Sequence, residues 1–257
     1  METDFASIAM QLAAAGCIAP EEEAAELIDA AGGDPSELES LVARRVDGEP
    51  LPWLTGRIRF CGIDLIVRPG TYVPRWQTEP LARRAVQLVP PTGTAIDLCT
   101  GIGAVAAVIA AARPGARILA TELDETAVAC ARMNAPDAEV FAGHLDDPLP
   151  GDRAETADVV TAVVPYVPSE ELHLLPRDVR EHEPRIALDG GPAGTAVLLE
   201  VIARSPRLLR SGGSLLLELG GDQAGLVAPA LREHGFGGTE VLRDEEGDPR
   251  GIVSRLV

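Results

Sequence analysis

The residues best placed to do chemistry lie in one short run, Ile96-Asp97-Leu98-Cys99-Thr100-Gly101-Ile102-Gly103-Ala104-Val105-Ala106. An apolar strand pattern precedes it and a helix pattern follows. Glycines at such a turn let the backbone approach a ligand closely, and the helix start offers free N–H groups. Glu122 ends the next strand about 20 residues on, where an acid bonds ribose hydroxyls in nucleotide-binding α/β folds. Gly101-x-Gly103-x-x-Ala106 matches the dinucleotide fingerprint, which by itself is weak. Asp97 shifts the weighting. A carboxylate four residues before Gly101 would repel a pyrophosphate, and it suits a cationic amino-acid end such as the methionine portion of S-adenosylmethionine. A dinucleotide site and a ligand-free glycine turn remain as alternatives.

These residues need elements to hold them. From residue 93 onward, apolar strand-like runs alternate with helical stretches. The pattern predicts strands at 94–98, 117–121, 139–142, 158–163, 214–218, 239–243 and 251–256. Short apolar strands separated by helices indicate a largely parallel sheet covered on both faces. The last two lie close together, across a Glu-Glu-Gly-Asp-Pro turn, and read as an antiparallel pair at the sheet edge. Upstream, residues 5–46 read as helices, with Pro20 and three glutamates at one helix start. Gly32-Gly33-Asp34-Pro35 is a turn, and another helix follows over 36–45. Residues 59–67 read as a hairpin with its turn near Gly62. A helix is expected from Glu79 to Leu88.

Composition narrows the partners. The 257 residues carry 22 basic and 40 acidic side chains, a net charge of −18, and every basic residue is arginine. Such a surface repels nucleic-acid phosphates and an anionic membrane face. Residues 1–50 hold 12 acids against only Arg44 and Arg45, so −10 of the charge lies there. Aromatics are 3% of the chain, which leaves the core to Leu, Val, Ile and Ala. Cys17, Cys61, Cys99 and Cys130 have no C-x-x-C spacing; they read as thiols of a reducing compartment rather than metal ligands. Neither a signal-peptide pattern nor an apolar run of membrane-spanning length is visible. A cytosolic location is the expectation.

With these motifs in place, the chain resembles the protein-glutamine methyltransferases of the HemK/PrmC type, which modify release factors. The motifs carrying the resemblance are Asp97-Leu98-x-Thr100-Gly101-x-Gly103-Ala104, Gly48-Glu49-Pro50-Leu51, Phe60-x-Gly62 and Val73-Pro74-Arg75-x-x-Thr78-Glu79. Further on come Ala131-Arg132-x-Asn134-Ala135, Glu183-Pro184-Arg185-x-Ala187-Leu188-x-Gly190-Gly191, Gly212-Gly213, Glu218-x-Gly220 and Gln223. They span nearly the whole chain in family order. Phe60-Cys61-Gly62 and Asp97-Leu98-Cys99 look closer to a less characterised branch common in actinobacteria. The resemblance implies an N-terminal helical substrate-recognition domain (1–50), a β-hairpin linker (51–78) and a Rossmann-like seven-stranded class I methyltransferase domain (79–257). It also implies S-adenosyl-L-methionine as cofactor, bound by Asp97, Thr100, Gly101, Gly103, Glu122, Leu123, His144, Arg75 and Thr78.

The resemblance breaks at the acceptor site. The family's fourth strand ends in Asn-Pro-Pro-Tyr, where the Asn side chain and the following carbonyl hold the target amide nitrogen. Here the run is Val163-Val164-Pro165-Tyr166. Pro165 and Tyr166 match; Val163 has no side-chain acceptor, while the Val164 carbonyl remains. An amide nitrogen is a poor nucleophile, and one lost oriented contact costs several kcal/mol of barrier stabilisation, by analogy with oxyanion-hole deletions. His144 stands where the family has Asp near the adenine. Three readings compete. The acceptor is a better nucleophile, such as a small amine or guanidine, or it is still a protein glutamine, or the chain binds cofactor without turnover. Acidic groups near the site mouth, Glu79, Glu181 and Glu183, could pair with a cationic acceptor, and Glu181 could take up a proton. Trp76 is expected to narrow the pocket. A small-molecule or protein substrate of cationic character fits, without nucleic acid, membrane or metal.

Overall fold

The computed structural model describes residues 2–151, 156–244 and 246–257. It opens with three helices, α1 (Glu2–Ala14), α2 (Pro20–Ala30) and α3 (Pro35–Val46). Proline occupies the first turn of α2 and α3, where its missing N–H costs nothing. The Asp34 side chain caps α3, accepting from the Ser36 and Glu37 backbone N–H groups at 2.9 and 3.3 Å. Leu12, Leu27 and Leu41 meet in a small apolar core that also takes in Leu54 from the short helix α4 (Leu51–Thr55).

Strands β1 (Arg57–Phe60) and β2 (Ile63–Ile66) pair antiparallel. Their two-residue turn is Cys61-Gly62, both at positive φ (48° and 83°). That conformation matches the twist of a tight hairpin. The hairpin is fastened to the rest by Asn134, whose side chain exchanges hydrogen bonds with the Ile66 backbone at 2.7 and 2.9 Å.

After α5 (Glu79–Leu88) the chain alternates strand and helix: β3 (Thr94–Leu98), α6 (Ala104–Ala112), β4 (Arg117–Glu122), α7 (Glu125–Asn134), β5 (Glu139–Ala142) and β6 (Ala157–Ala162). Then follow α8 (Arg177–His182), α9 (Ala196–Arg204), β7 (Leu209–Glu218), α10 (Gln223–Glu233), β8 (Phe236–Arg243) and β9 (Pro249–Leu256). The seven strands lie in the order β5-β4-β3-β6-β7-β9-β8. The first five are parallel, while β9 runs antiparallel to both β7 and β8. All seven strands predicted from the sequence are present. β7 and β8 start earlier than predicted, at 209 and 236, because Gly212-Gly213 and Gly237-Gly238 hide the strand pattern there. α5, α6 and α7 cover one face of the sheet, and α9 and α10 the other. The chain reverses direction of winding between β3 and β6. In open α/β sheets a crevice for ligands opens at such a point, outside the carboxyl ends of the strands.

Candidate active site

A cavity of about 920 Å³ opens at those strand ends. The loop after β3 forms one wall. Gly101 (φ 57°) faces open space, so nothing in the chain blocks a ligand there. At Gly103 (φ 85°) a Cβ would stand 2.9 Å from the Ala131 Cα, so this glycine lets α6 pack against α7. Cys99 lines the cavity and holds φ at 53°, a left-handed conformation that costs a non-glycine residue roughly 1–2 kcal/mol. Burial pushes its thiol well above the ordinary range.

Glu122, at the end of β4, organises this wall. One carboxylate oxygen accepts the Gly101 N–H at 2.8 Å; the other accepts Leu123 and Asp124 N–H at 2.7 and 2.9 Å. Glu122, Leu123 and His144 all line the cavity. His144 Nε2 lies 2.9 Å from Glu200 Oε1 on α9. The Thr121 hydroxyl, also at the cavity wall, is buried with no hydrogen-bond partner.

Asp97 takes a different place from the one the sequence suggests. Its carboxylate is 1% exposed and accepts from both the Thr100 hydroxyl and the Thr161 hydroxyl, the latter at 2.6 Å. It borders a second cavity of about 40 Å³ beneath the glycine loop, together with Thr100 and Thr78, and does not line the large one. Burial, partly offset by those hydroxyls, pushes its carboxyl up to about 6. Asp97 therefore braces the loop from below through Thr100.

Val163 to Tyr166 form the opposite wall, and Val163 borders both cavities. The Tyr166 hydroxyl donates to Glu218 Oε1 at 3.0 Å, and burial next to that carboxylate pushes the phenol far up. Gln223 fixes the Tyr166 backbone. Its Nε2 donates to the carbonyls of Tyr166, Ala193 and Gly194 at 2.8, 3.2 and 3.2 Å, and its Oε1 accepts Gly220 N–H at 3.0 Å. The 188–190 segment packs against the same turn: Val167 N–H donates to Leu188 and Gly190 N–H to Val167.

Four residues expected at the substrate lie elsewhere. Glu183 is buried, but it pairs with Arg75 and accepts from Val73 N–H, so it anchors the 73–75 loop. Glu79 holds the hairpin turn through Cys61 N–H at 2.8 Å and pairs with Arg83 at 2.6 Å. Glu181 points to solvent, paired with Arg177 and Arg180 on α8. Trp76 is 55% exposed, stacked under Arg250 at 5.8 Å, and narrows nothing. Arg75 does line the cavity, with its guanidinium over the Tyr72 ring at 5.2 Å. Cavity residues that the sequence reading passed over are Tyr72, Gln77, Asp189, Glu218 and Arg250. Glu218-x-Gly220 is visible as a motif, but only the sheet order puts Glu218 beside Tyr166.

The strand order, with its antiparallel last pair and its cavity at the parallel strand ends, defines a class I methyltransferase fold. A methyltransferase from Pyrococcus furiosus shares the fold, with a TM-score of 0.54 at 18% identity over 76% of this chain and 89% of that one. The family model Methyltransferase small domain matches residues 81–160. Release factor glutamine methyltransferase of Geobacter sulfurreducens is 34% identical over 87% of this chain and 80% of its own length. The protein of the same name from Mycolicibacterium smegmatis is 36% identical over 87% and 82%. The chain belongs to the release factor glutamine methyltransferase family.

Proposed function

We propose that the protein is an S-adenosylmethionine-dependent N-methyltransferase whose acceptor is a nitrogen more nucleophilic than an amide, on a small amine, guanidine or amino-acid side chain. Its charge favours a cationic substrate and disfavours nucleic acid, and its unpaired thiols suit the cytosol. The cavity volume suits a nucleoside joined to an amino acid with room for an acceptor. The unpartnered Thr121 hydroxyl and the carboxylate of Glu122 offer polar atoms for ribose and adenosine. Leu123 and His144 flank the same wall, and Gly101 gives open backbone to the amino-acid portion. Arg75 lines the same cavity with its guanidinium paired to Glu183. Bound, the cofactor supplies a sulfonium methyl group, and transfer to nitrogen depends mainly on alignment and proximity.

The observation that carries the acceptor class is Val163. An amide needs acceptors that polarise its N–H groups, and this position, bordering both cavities, presents only methyl groups. A free amine or guanidine nitrogen has less need of that help. Methylation of a protein glutamine is the second reading, favoured by the 34 and 36% identities over most of the chain.

Titration calorimetry tests the cofactor. S-adenosylhomocysteine should bind, and Glu122→Ala should weaken it by about tenfold or more, as for a lost charged hydrogen bond. Binding of NAD in its place would overturn the reading.

A further inference from the structure

The acceptor wall presents no polar side chain at Val163, yet it keeps the carboxylate of Glu218. Glu218 ends β7, next to β6 in the sheet, so its carboxylate meets the residues after β6. It is 2% exposed and lines the large cavity. Oε1 is taken by the Tyr166 hydroxyl at 3.0 Å, whereas Oε2 is buried and makes no hydrogen bond. Leaving a buried carboxylate oxygen unmatched is costly, which makes such an atom a marker for a ligand donor. The nearby cations are committed elsewhere: Arg250 to Asp244 at 2.6 Å, and Arg75 to Glu183. Gln77 Oε1, also at the cavity wall, is a second buried acceptor without a partner. The buried Thr78 hydroxyl stands near Glu218 and can donate one hydrogen bond to it, which leaves Gln77 Oε1 and the second lone pair of Glu218 Oε2 for a ligand rich in N–H groups.

We propose that Glu218 Oε2 receives an N–H of the methyl acceptor, so that this wall selects a primary amine or guanidine. This rests on the methyltransferase reading above and names the residue that sets its substrate class. Tyr166 acts as the positioning residue: by holding Oε1 it leaves Oε2 as the carboxylate oxygen open to a donor. A carboxylate pairs with a protonated amine or guanidinium more strongly than with a neutral amide, and Oε2 takes up the proton that such an acceptor must lose before its lone pair attacks the methyl group.

The probe is sinefungin, a cofactor analogue that carries a primary amine in place of the methyl sulfonium, compared with S-adenosylhomocysteine, which carries neither. Calorimetry on the full chain should show sinefungin binding about tenfold tighter, the size expected of one charged hydrogen bond. Glu218→Gln should remove that preference while leaving S-adenosylhomocysteine affinity within about twofold. Equal weakening of both ligands, or an unchanged preference, would overturn the proposal. Should Glu218→Gln fail to fold, Tyr166→Phe is the second variant: it releases Oε1 and lets the carboxylate turn, so the sinefungin preference should fall while S-adenosylhomocysteine affinity stays within about twofold, and an unchanged preference would contradict the assignment. A wild-type chain that binds neither analogue overturns the methyltransferase reading itself and the proposal with it. Binding of S-adenosylhomocysteine without any sinefungin preference overturns only the role of Glu218.

Discussion

At the scale of single residues, two side chains depart from what their neighbours lead one to expect. Val163 presents methyl groups where the family resemblance implies an amide. Val163→Asn should therefore add transfer of labelled methyl to a release-factor glutamine, measured by scintillation counting of the precipitated protein. No gain in the variant would disconnect this position from amide specificity. Asp97 is the second. Its carboxyl is raised from 3.8 to about 6 by burial. Between these values the unfolded chain has released the proton and the folded chain still holds it, so the contribution of Asp97 to stability falls as pH rises through that window and stays low above it. The loss amounts to about 3 kcal/mol at about 1.4 kcal/mol per pH unit. Urea midpoints of Asp97→Asn should vary less than wild type between pH 4 and 6, and at pH 7 the variant should be at least as stable. A variant that is destabilised at pH 7 by several kcal/mol would show that the ionised form is the one the fold needs.

At the scale of elements, the site is held by braces between loops. Gln223, at the start of α10, ties the ends of β6 and β7 and the 193–194 turn into one unit. Gln223→Ala should cost about 2 kcal/mol, because three carbonyls, one buried and two part-buried, lose their donor, and thermal melts should report it. It should also weaken any sinefungin preference more than S-adenosylhomocysteine binding, since it loosens the acceptor wall and leaves the glycine loop alone. Gly194 is equally constrained: a Cβ there would stand 2.0 Å from the Tyr166 carbonyl. Most elements were legible in the sequence, because β3 and β4 have apolar centres, Ala95-Ile96 and Ile118-Leu119-Ala120, and Pro20, Asp34-Pro35 and Gly62 punctuate the chain at the right places. The carboxylates were less legible. Glu79 and Glu183 sit in motifs that suggest chemistry, yet hydrogen bonds made across 18 and 108 residues of chain turn them into braces. Glu218 is the converse case, and its proximity to Tyr166 across 52 residues depends on β6 and β7 being neighbours.

For the whole molecule, charge and core are both unevenly spread along the chain. The acidic first 50 residues share an apolar core with Leu51 and Leu54 of α4, and Trp53 between these two belongs to the core shared with the large sheet. Polar ties between the helices and the rest include Arg57–Asp29 and the 3.6 Å pair Arg177–Asp47. We propose that the helical part recognises substrate and that the sheet carries the cofactor. A chain beginning at residue 51 should then keep S-adenosylhomocysteine affinity within about threefold, a change of under 1 kcal/mol, by calorimetry. Loss of that affinity would make the helices part of the cofactor site. The concentration of −10 over the helical part favours a cationic guest, in line with unmatched acceptors at the cavity wall.

The central claim is that this cavity transfers a methyl group to a nitrogen more nucleophilic than an amide. The most direct measurement incubates the wild-type chain with methyl-labelled S-adenosylmethionine and, in parallel, an unmodified release factor and a pool of small amines and guanidines. Label in a member of the amine and guanidine pool, with none in the release factor, is the predicted result. Label on the release-factor glutamine, with none in the pool, would contradict it.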